Sequence, residues 1–269
     1  MVLPAKIPFT KMEGTGNDFI VFDNRDGMFT GDETEFFFRI CQRRFAVGAD
    51  GVILIEKGQS HPIRMRYFNR DGYEAEMCGN GARCVAYYAR KKKIVQEDEF
   101  VLEALDGLHS VRIKNHVISL QIIEPRNYRS GFGILRESEF KEGGLINTGV
   151  PHYVIIVSDV DSVDVQTVGK TYCHHEVFPK GANIDFIQFQ GKNRIRFRIY
   201  ERGVEDETRS SGTGVVASAL IASREFGCHS PVQVETRGGN LRVEFDSDWK
   251  TVFLEGAASI AYEGMLSTE

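Results

Sequence analysis

Two stretches of similar character occur in the two halves of the sequence. MCGNGARC occupies residues 77–84, SSGTGVVAS occupies residues 210–218, and the shift from Cys78 to Ser211 is 133 positions, from 78 to 211. Each reads as a glycine-rich turn that opens a helix of small residues. An internal repeat decides the architecture of a chain, so this relation constrains the fold more than any other feature.

Further stretches align at the same offset without gaps. The register places residues 14–22 on 147–155, 45–55 on 178–188, and 67–81 on 200–214. It superposes Gly48 on Gly181 and Glu74 on Glu207. Several matches in one register indicate duplication of a half-length domain, because the units of a solenoid are much shorter.

Within each copy the pattern is mixed. Short apolar stretches such as NDFIVFDN and DGVILIEKG are typical of strands separated by Gly, Asn, Asp and Pro turns. DETEFFFRICQRR and NGARCVAYYARKKK are typical of helices. We expect an α+β fold of two pseudo-symmetric domains, each a mostly antiparallel sheet wrapped around a central helix. The expected domains are 1–123 with 262–269, and 124–261.

Composition restricts the class of protein. The net charge of −5 argues against a nucleic-acid binder, and the basic run at 90–93 is typical of a solvated helix end. No apolar run reaches the length of a membrane span, and the N-terminal MVLPAKIPFTK lacks the apolar region of a signal peptide. Five cysteines at irregular spacing argue against a disulfide framework. We expect a cytoplasmic protein that binds neither nucleic acid nor membrane.

The two turns suggest acid–base chemistry. A cysteine at a helix N-terminus is shifted toward thiolate, and adjacent glycines let backbone amides approach a bound carboxylate. Two such turns facing each other across an interdomain cleft would place Cys78 and Ser211 on either side of a substrate α-carbon. That layout suits removal of a proton from one face and its return from the other.

Other chemistries fit less well. CGNGARC has no partner cluster at zinc-finger spacing, and the residues of YCHHE (172–176), if helical, would point in different directions. GTGNDF lacks the spacing of a dinucleotide fingerprint, and SSGTG matches a serine-hydrolase elbow only loosely. We therefore expect neither a metal site nor a dinucleotide-binding site in these motifs.

KMEGTGNDF, FNRDGYEAEMCGNGARC, PHYV and ERGVEDETRSSGTG together resemble the diaminopimelate epimerase family over nearly the whole chain. The resemblance implies two pseudo-symmetric domains, a cleft active site, and cofactor-independent epimerisation in lysine and peptidoglycan-precursor synthesis. It implies catalytic roles for Cys78, Ser211, His152 and Glu201. It implies substrate binding by Asn17, Asn69, Gly79, Asn80, Asn183, Arg202, Gly212 and Thr213.

Three positions depart from the family pattern. Ser211 replaces the second cysteine, Val150 replaces an asparagine before PH, and Glu13 stands where a histidine is usual. An introduced Cys-to-Ser change would account for Ser211 alone, whereas natural divergence accounts for all three.

Three functions are therefore compared. The first is epimerisation of an amino acid, with diaminopimelate as the leading substrate. The second is a one-base lyase or isomerase, or a racemase of another amino acid, as in the phenazine-pathway and proline-racemase relatives. The third is an amino-acid binder without turnover. The expected partner is a small amino-acid substrate, and a homodimer is compatible with the sequence.

Overall fold

A computed structural model describes residues 3–75, 77–115, 117–135 and 139–268. The chain divides into two compact units, Met1–Leu120 with Gly256–Glu269 (unit 1) and Gln121–Glu255 (unit 2). Unit 1 gives way to unit 2 between residues 120 and 121, and we expect this boundary between 123 and 124. The chain returns to unit 1 between residues 255 and 256, and we expect this boundary between 261 and 262. Among the described residues, no helix is long and apolar enough to cross a membrane.

The elements of the first repeat are nine strands and two helices in the described residues. They are β1 (Lys6–Gly14), β2 (Asn17–Asp23), α1 (Thr34–Cys41), β3 (Gly51–Glu56), β4 (Ile63–Asn69), β5 (Glu74–Ala75), α2 (Gly79–Lys91), β6 (Glu99–Ala104), β7 (Gly107–Lys114), β8 (Val117–Ile122) and β9 (Arg126–Arg129).

The second repeat follows in the same order. Its elements are β10 (Lys141–Asn147), β11 (Pro151–Ile156), α3 (Val165–Cys173), β12 (Asn183–Phe189), β13 (Arg194–Glu201), β14 (Asp206–Thr208), α4 (Gly212–Phe226), β15 (Val232–Thr236), β16 (Gly239–Phe245), β17 (Val252–Gly256) and β18 (Ser259–Ser267). Every element of the first repeat thus has a counterpart, and α2 and α4 begin at the equivalent positions 79 and 212.

The strand pairing confirms the α+β class and the duplication. In unit 1, β2 pairs with β3 and β4 with β6 in parallel, and in unit 2 the equivalent parallel pairs are β11 with β12 and β13 with β15. The other ladders described inside the units are antiparallel. Both units therefore carry the same arrangement of hairpins and parallel crossovers.

The last strand of each repeat pairs with the first strand of the other repeat. β18 lies antiparallel to β1 in unit 1, with Lys6 opposite Ser267, and β9 lies antiparallel to β10 in unit 2. Each unit is therefore completed by a strand from the other half of the sequence. This exchange is why unit 1 contains the C-terminal segment and unit 2 begins before the second repeat does.

A central helix lies against the sheet in each unit. α2 packs against β1, β2, β3, β4, β7 and β18, and α4 packs against β10, β11, β12, β13, β15 and β16. Two glycines stand in the first turn of each helix, at 79 and 81 in α2 and at 212 and 214 in α4, which lets the strands approach closely. Helix α4 is buried from Gly214 to Ala222. α4 ends at Gly227, whose φ of 71° is the left-handed conformation that glycine adopts at low cost.

Helix α1 is shorter than the sequence indicates. It begins at Thr34 and ends at Cys41, although the expected helix extends through Arg44. The Arg43 guanidinium instead binds the carboxylates of Asp18 and Asp50, 2.8 Å from the latter, and Lys11 lies 2.6 Å from Asp18. These ion pairs hold the segment after α1 against the turn between β1 and β2.

The Asp18 network predicts an acid-sensitive contribution to stability. Burial alone would raise the pKa of Asp18, but hydrogen bonds from Arg43 and Lys11 outweigh it, so that its pKa lies at about 2. Because this pKa is depressed, the stabilisation is full above the ordinary value near 3.8 and is lost as the pH falls through about 2. Asp18→Asn should lower the urea-unfolding free energy near neutral pH and converge with wild type toward pH 2.

The exposed carboxylate of Asp248 supplies the control, because its partner Lys250 is 3.8 Å away and both side chains face solvent. Asp248→Asn should have little effect at any pH. Parallel stability curves for Asp18→Asn and wild type down to pH 2 would contradict the assignment.

Candidate active site

The Cys78 turn lies in unit 1. Cys78 is the N-cap of α2, with an extended backbone (φ −125°, ψ 115°), and its side chain does not cap the helix. The half-buried thiol donates to Asn17 Oδ1 at 3.5 Å, and the Asn80 amide donates to the same oxygen at 3.3 Å. The other four cysteines are free and buried, so Cys78 is the accessible thiol of the five.

Asn17 is itself held in one orientation. Its Nδ2 donates to Asp50 Oδ2 at 2.9 Å, and the backbone N–H of Asp18 donates to the same carboxylate at 3.2 Å. The amide nitrogen therefore faces Asp50 and the amide oxygen faces Cys78. Asp50 was not predicted from the sequence, because its role depends on a contact with a residue distant in sequence.

A fully buried arginine lies beneath the Cys78 turn. Arg83 has no solvent exposure, and its Nη2 donates to Thr15 Oγ1 at 2.6 Å and to Asn80 Oδ1 at 2.9 Å. Its Nη1 lies 3.5 Å from the carbonyl oxygen of Gly79, while Nε has no hydrogen-bond partner among the described residues. Burial lowers the pKa of the Arg83 guanidinium, and Cys84, Cys78 and Glu13 act in the opposite direction.

The Ser211 turn occupies the equivalent place in unit 2. Ser211 is the N-cap of α4 with a similar backbone (φ −130°, ψ 121°), but its Oγ accepts the Gly214 N–H at 3.3 Å. The same Oγ lies 3.3 Å from Thr213 Oγ1. The hydroxyl therefore caps the helix and also contacts the next side-chain hydroxyl, which the thiol of Cys78 does not do.

A buried histidine–aspartate pair supports this turn. His152 Nε2 lies 2.9 Å from Thr213 Oγ1, and His152 Nδ1 lies 3.1 Å from the carboxylate of Asp185. Neither His152 nor Asp185 is exposed to solvent. Ser218 Oγ donates to the same carboxylate at 3.4 Å. A continuous chain thus runs from Asp185 through His152 and Thr213 to Ser211.

Equivalent glycines allow this close packing. A Cβ on Gly214 would lie 3.0 Å from Asp185 Oδ1 and 3.1 Å from His152 Cε1. A Cβ on the equivalent Gly81 would lie 3.0 Å from the terminal methyl groups of Ile53 and Met65. In unit 2 the first turn of α4 thus packs against the polar His152–Asp185 pair. In unit 1 the first turn of α2 packs against the flexible apolar side chains of Ile53 and Met65.

The remaining residues predicted for substrate binding occupy separate places. Asn183 accepts the Arg202 N–H at 2.8 Å and lies 3.4 Å from His152 Nε2. The Arg202 guanidinium donates to the Gly181 carbonyl at 3.3 Å, and Glu201 accepts a hydrogen bond from Thr208. In unit 1, Asn69 is exposed at the end of β4. These contacts are compatible with substrate binding, which stays a prediction for each residue.

Two further charged residues beside these turns, Arg83 in α2 and Asp185 in β12, were not predicted as functional from the sequence. A position-by-position comparison of the repeats could have found them, because Val216 is the counterpart of Arg83 and Val52 is the counterpart of Asp185. A charge that replaces a core valine in only one copy needs a specific partner.

The YCHHE segment also differs from its expected form. Helix α3 ends at Cys173, so His174 lies beyond the helix. Cys173, His174 and Glu205 each offer one ligand atom within 4.8 Å of the others, and His174 Nε2 pairs with Glu205 at 2.9 Å. The expectation that neighbouring residues of this segment lie on a helix and point in different directions was wrong. The ion pair between His174 and Glu205 explains why the three side chains lie close together.

The duplicated α+β fold, with Cys78 and Ser211 at the equivalent starts of its two central helices, defines a class of two-domain proteins built from one repeated unit. A sequence profile described as diaminopimelate epimerase matches residues 9–121 and 144–261. A diaminopimelate epimerase of Methanocella arvoryzae is 39% identical, covering 98% of each chain. One from Hydrogenobaculum sp. is 38% identical, covering 97% of this chain and 98% of the relative. The chain belongs to the diaminopimelate epimerase family.

Solved structures share the fold at low identity. A phenazine biosynthesis protein of the PhzF family from Enterococcus faecalis has a TM-score of 0.71 at 14% identity, covering 97% of this chain and 99% of that one. A hydroxyproline epimerase from Agrobacterium vitis, with bound trans-4-OH-L-proline, has a TM-score of 0.68 at 13% identity, covering 100% and 93%. These similarities confirm the fold class.

The two glycines predict unequal tolerance of a methyl group. Gly214→Ala should destabilise the protein by about 1–3 kcal/mol, because its Cβ would press on the buried carboxylate and imidazole. Gly81→Ala is the matched control, since its Cβ meets the ends of flexible side chains that can move. Urea unfolding would measure both variants, and equal losses would contradict the tight packing of the His152–Asp185 pair.

Proposed function

We propose that the chain is a diaminopimelate epimerase, which converts LL-diaminopimelate to the meso form by moving one α-proton. The observation that carries the proposal is the pair of equivalent helix starts, each with a side chain able to exchange a proton. The relatives named diaminopimelate epimerase, at 33–39% identity over nearly the full chain, support the substrate. The proposal needs no cofactor, because the chain itself supplies both acid–base groups.

The backbone of the two turns would hold the substrate carboxylate. The first N–H groups of a helix have no acceptor within the helix, and they carry the positive end of its dipole. At α2 the Cys78 side chain leaves them uncapped, while Gly79 and Asn80 provide close backbone approach. Negative charge that develops on the carboxylate during α-proton removal would be stabilised by these donors.

Each side chain then has a defined task. In one direction Cys78 accepts the α-proton as thiolate, and Ser211 returns a proton to the carbanion. Asn17 orients the thiol, and His152 supports Ser211 through Thr213. Asn69, Asn183, Glu201 and Arg202 are assigned to the substrate's functional groups and to support of the acid–base residues.

We also place the reaction in the cytoplasm. The five cysteines form no disulfide among the described residues, which suits a reducing compartment, and Cys78 must not be oxidised if the chemistry is to proceed. A homodimer is the assembly to test by light scattering.

Incubation in heavy water tests the proposed reaction. LL-Diaminopimelate should acquire α-deuterium and convert to the meso form, while other amino acids should exchange far more slowly. Cys78→Ala should abolish both events, because no other accessible thiol is present among the five cysteines. Cys84→Ala, which removes a buried thiol, is the control for nonspecific damage. Absence of exchange with every amino acid tested would refute the proposal.

A one-base lyase or isomerase is the second candidate, and one observation favours it. Ser211 Oγ accepts the Gly214 N–H, so the serine already has a structural task as a helix cap. Under this alternative Ser211→Ala keeps full product formation, without stereoinversion, and loses only the cap, about 1 kcal/mol of stability.

Substitutions at Ser211 separate the two candidates. Under the epimerase proposal, Ser211→Ala loses inversion, whereas Ser211→Cys retains it, because a thiol restores a proton-exchanging group. Inversion rates from the LL and meso isomers, together with unfolding free energies, provide the measurement. Full inversion in Ser211→Ala would exclude Ser211 as the second group. Ligand-induced thermal stabilisation without exchange in any variant would identify a binder.

A further inference from the structure

A cluster of three potential metal ligands lies in unit 2, apart from the residues to which the proposed reaction assigns a task. The Cys173 thiol, a ring nitrogen of His174 and a carboxylate oxygen of Glu205 lie within 4.8 Å of one another. Cys173 is the last residue of α3, His174 follows it, and Glu205 lies in the turn between β13 and β14. The cluster therefore joins the end of a helix to a turn of the sheet.

We propose that Cys173, His174 and Glu205 form a zinc site. The thiolate sulfur, the imidazole Nε2 and one carboxylate oxygen would be the three protein ligands, and water would take the fourth position of a tetrahedral zinc ion. Bound zinc would fasten the C-terminal end of α3 to the β13–β14 turn. This inference goes beyond the proposed function and does not depend on it.

The end of α3 brings the first two ligands together. Adjacent residues of a continuing helix point about 100° apart, because a helical turn contains 3.6 residues. His174 is the C-cap of α3, and its backbone (φ −108°, ψ 20°) has left helical geometry. The side chains of Cys173 and His174 therefore both reach Glu205. The expectation that YCHHE holds no metal depends on a helix that continues, and α3 ends at Cys173.

The backbone of Glu205 indicates a specific task for its side chain. Glu205 has a φ of 59°, in the left-handed region that residues other than glycine rarely adopt. Its counterpart in the first repeat is Gly72, whose φ of 87° costs glycine little. A glutamate thus occupies a position suited to glycine, against a backbone cost. Residues held in such conformations are concentrated at functional sites.

The thiol is buried beneath the two exposed ligands. Cys173 has no solvent exposure, whereas the side chains of His174 and Glu205 are 56% and 44% exposed. Burial and the charge of Glu205 raise the pKa of the Cys173 thiol to about 11, against the opposing effects of Arg202 and the Ala182 N–H. A divalent cation between the thiol and the carboxylate reverses this balance, because a thiol that coordinates a metal loses its proton.

The carboxylate is held in place by contacts outside the cluster. Its oxygens accept the Gly203 N–H at 2.9 Å and the Tyr200 hydroxyl at 3.2 Å. Hydrogen bonds of this kind orient metal ligands in known sites. The third contact is His174 Nε2 at 2.9 Å, and an exposed ion pair of this kind contributes little to stability. Both exposed side chains can therefore separate slightly to admit an ion.

The donor set favours zinc over the common hard cations. Mg²⁺ and Ca²⁺ are bound by oxygen ligands, whereas one thiolate, one imidazole and one carboxylate are all ligands that zinc accepts. Among the described residues, no other group of three His, Cys, Asp or Glu side chains brings its ligand atoms this close together. The chain therefore offers one candidate site for a thiophilic metal.

Binding exchanges a proton for the metal. Zn²⁺ forms bonds to the Cys173 sulfur, the neutral His174 imidazole and the Glu205 carboxylate, and the thiol proton passes to solvent with no change of oxidation state. Arg202 and Tyr200 are the other titratable groups at the thiol, and the pKa of Tyr200 is raised to about 12, so its hydroxyl keeps its proton. At pH 8, above the ordinary imidazole pKa of about 6.5, zinc should release about one proton per ion.

Cobalt(II) provides a direct probe of thiolate ligation. Untagged, metal-free protein titrated with Co²⁺ at pH 8 should develop sulfur-to-cobalt charge-transfer absorption that saturates at one ion per chain. Added Zn²⁺ should abolish this absorption, because zinc binds such sites more tightly than cobalt. The absorption should persist in Cys78→Ala, which removes the accessible thiol, and should be lost in Cys173→Ser.

The two exposed ligands provide variants that do not disturb the core. Loss of an outer hydrogen-bond partner alone costs about 10–100-fold in metal affinity, so loss of a ligand should cost about a hundredfold or more. Zinc competition with a chromophoric chelator should show this loss in Glu205→Gln and His174→Ala. Glu176→Gln, an exposed carboxylate of the same segment, is the matched control, and it should keep wild-type affinity. Cys228→Ser controls for removal of a buried thiol.

Thermal unfolding adds a readout that is independent of the spectra. Zinc should raise the unfolding midpoint of wild type and of Glu176→Gln by mass action, and it should leave that of Glu205→Gln unchanged. Charge-transfer absorption retained in folded Cys173→Ser, or equal zinc affinity in Glu205→Gln and wild type, would overturn the site. If Cys173→Ser does not fold, the Cys78→Ala protein decides, since absence of the absorption there excludes a buried thiolate ligand.

Discussion

The buried start of the central helix is the constraint on which the rest of each unit depends. A helix that begins inside a sheet presents N–H groups that need an acceptor, and burial without one is costly. In α4 the Ser211 hydroxyl accepts one of them, whereas in α2 the Cys78 side chain accepts none. These N–H groups are the donors to which the proposed function assigns the substrate carboxylate.

Close packing around these helix starts explains why the scaffold tolerates different chemistry in its two copies. Because Gly81 and Gly214 have no side chain, side chains of the strands pack directly against the first turn of each helix. The side chains in contact with that turn are therefore closely packed. In unit 1 these side chains are apolar and Arg83 enters from the helix itself. In unit 2 the strands supply His152 and Asp185. Substituting a strand residue changes the electrostatics of the turn without moving the backbone that forms it.

Much of this could be predicted from the sequence because the repeat has no gaps. The offset between Cys78 and Ser211 predicted the equivalent starts of α2 and α4. The mixture of short apolar stretches and helical stretches within each copy predicted the α+β class and the central helices. The exchange of β9 and β18 was harder to predict, since pairing between distant strands has no local signal. Arg83 and Asp185 were missed for a related reason, because the contacts that give a buried charge its role come from other elements.

The asymmetry of the two turns is a requirement of the chemistry. If both equivalent groups were thiolates in the resting enzyme, neither could return a proton; if both were thiols, neither could remove one. A duplicated scaffold starts with the same helix dipole at both turns, so the dipole alone cannot separate the two states. The separation therefore has to come from the side chains around each turn, which differ between the two copies. The Ser211 hydroxyl contacts Thr213, and through Thr213 it is linked to the buried His152–Asp185 pair, whereas the Cys78 thiol faces the amide oxygen of Asn17.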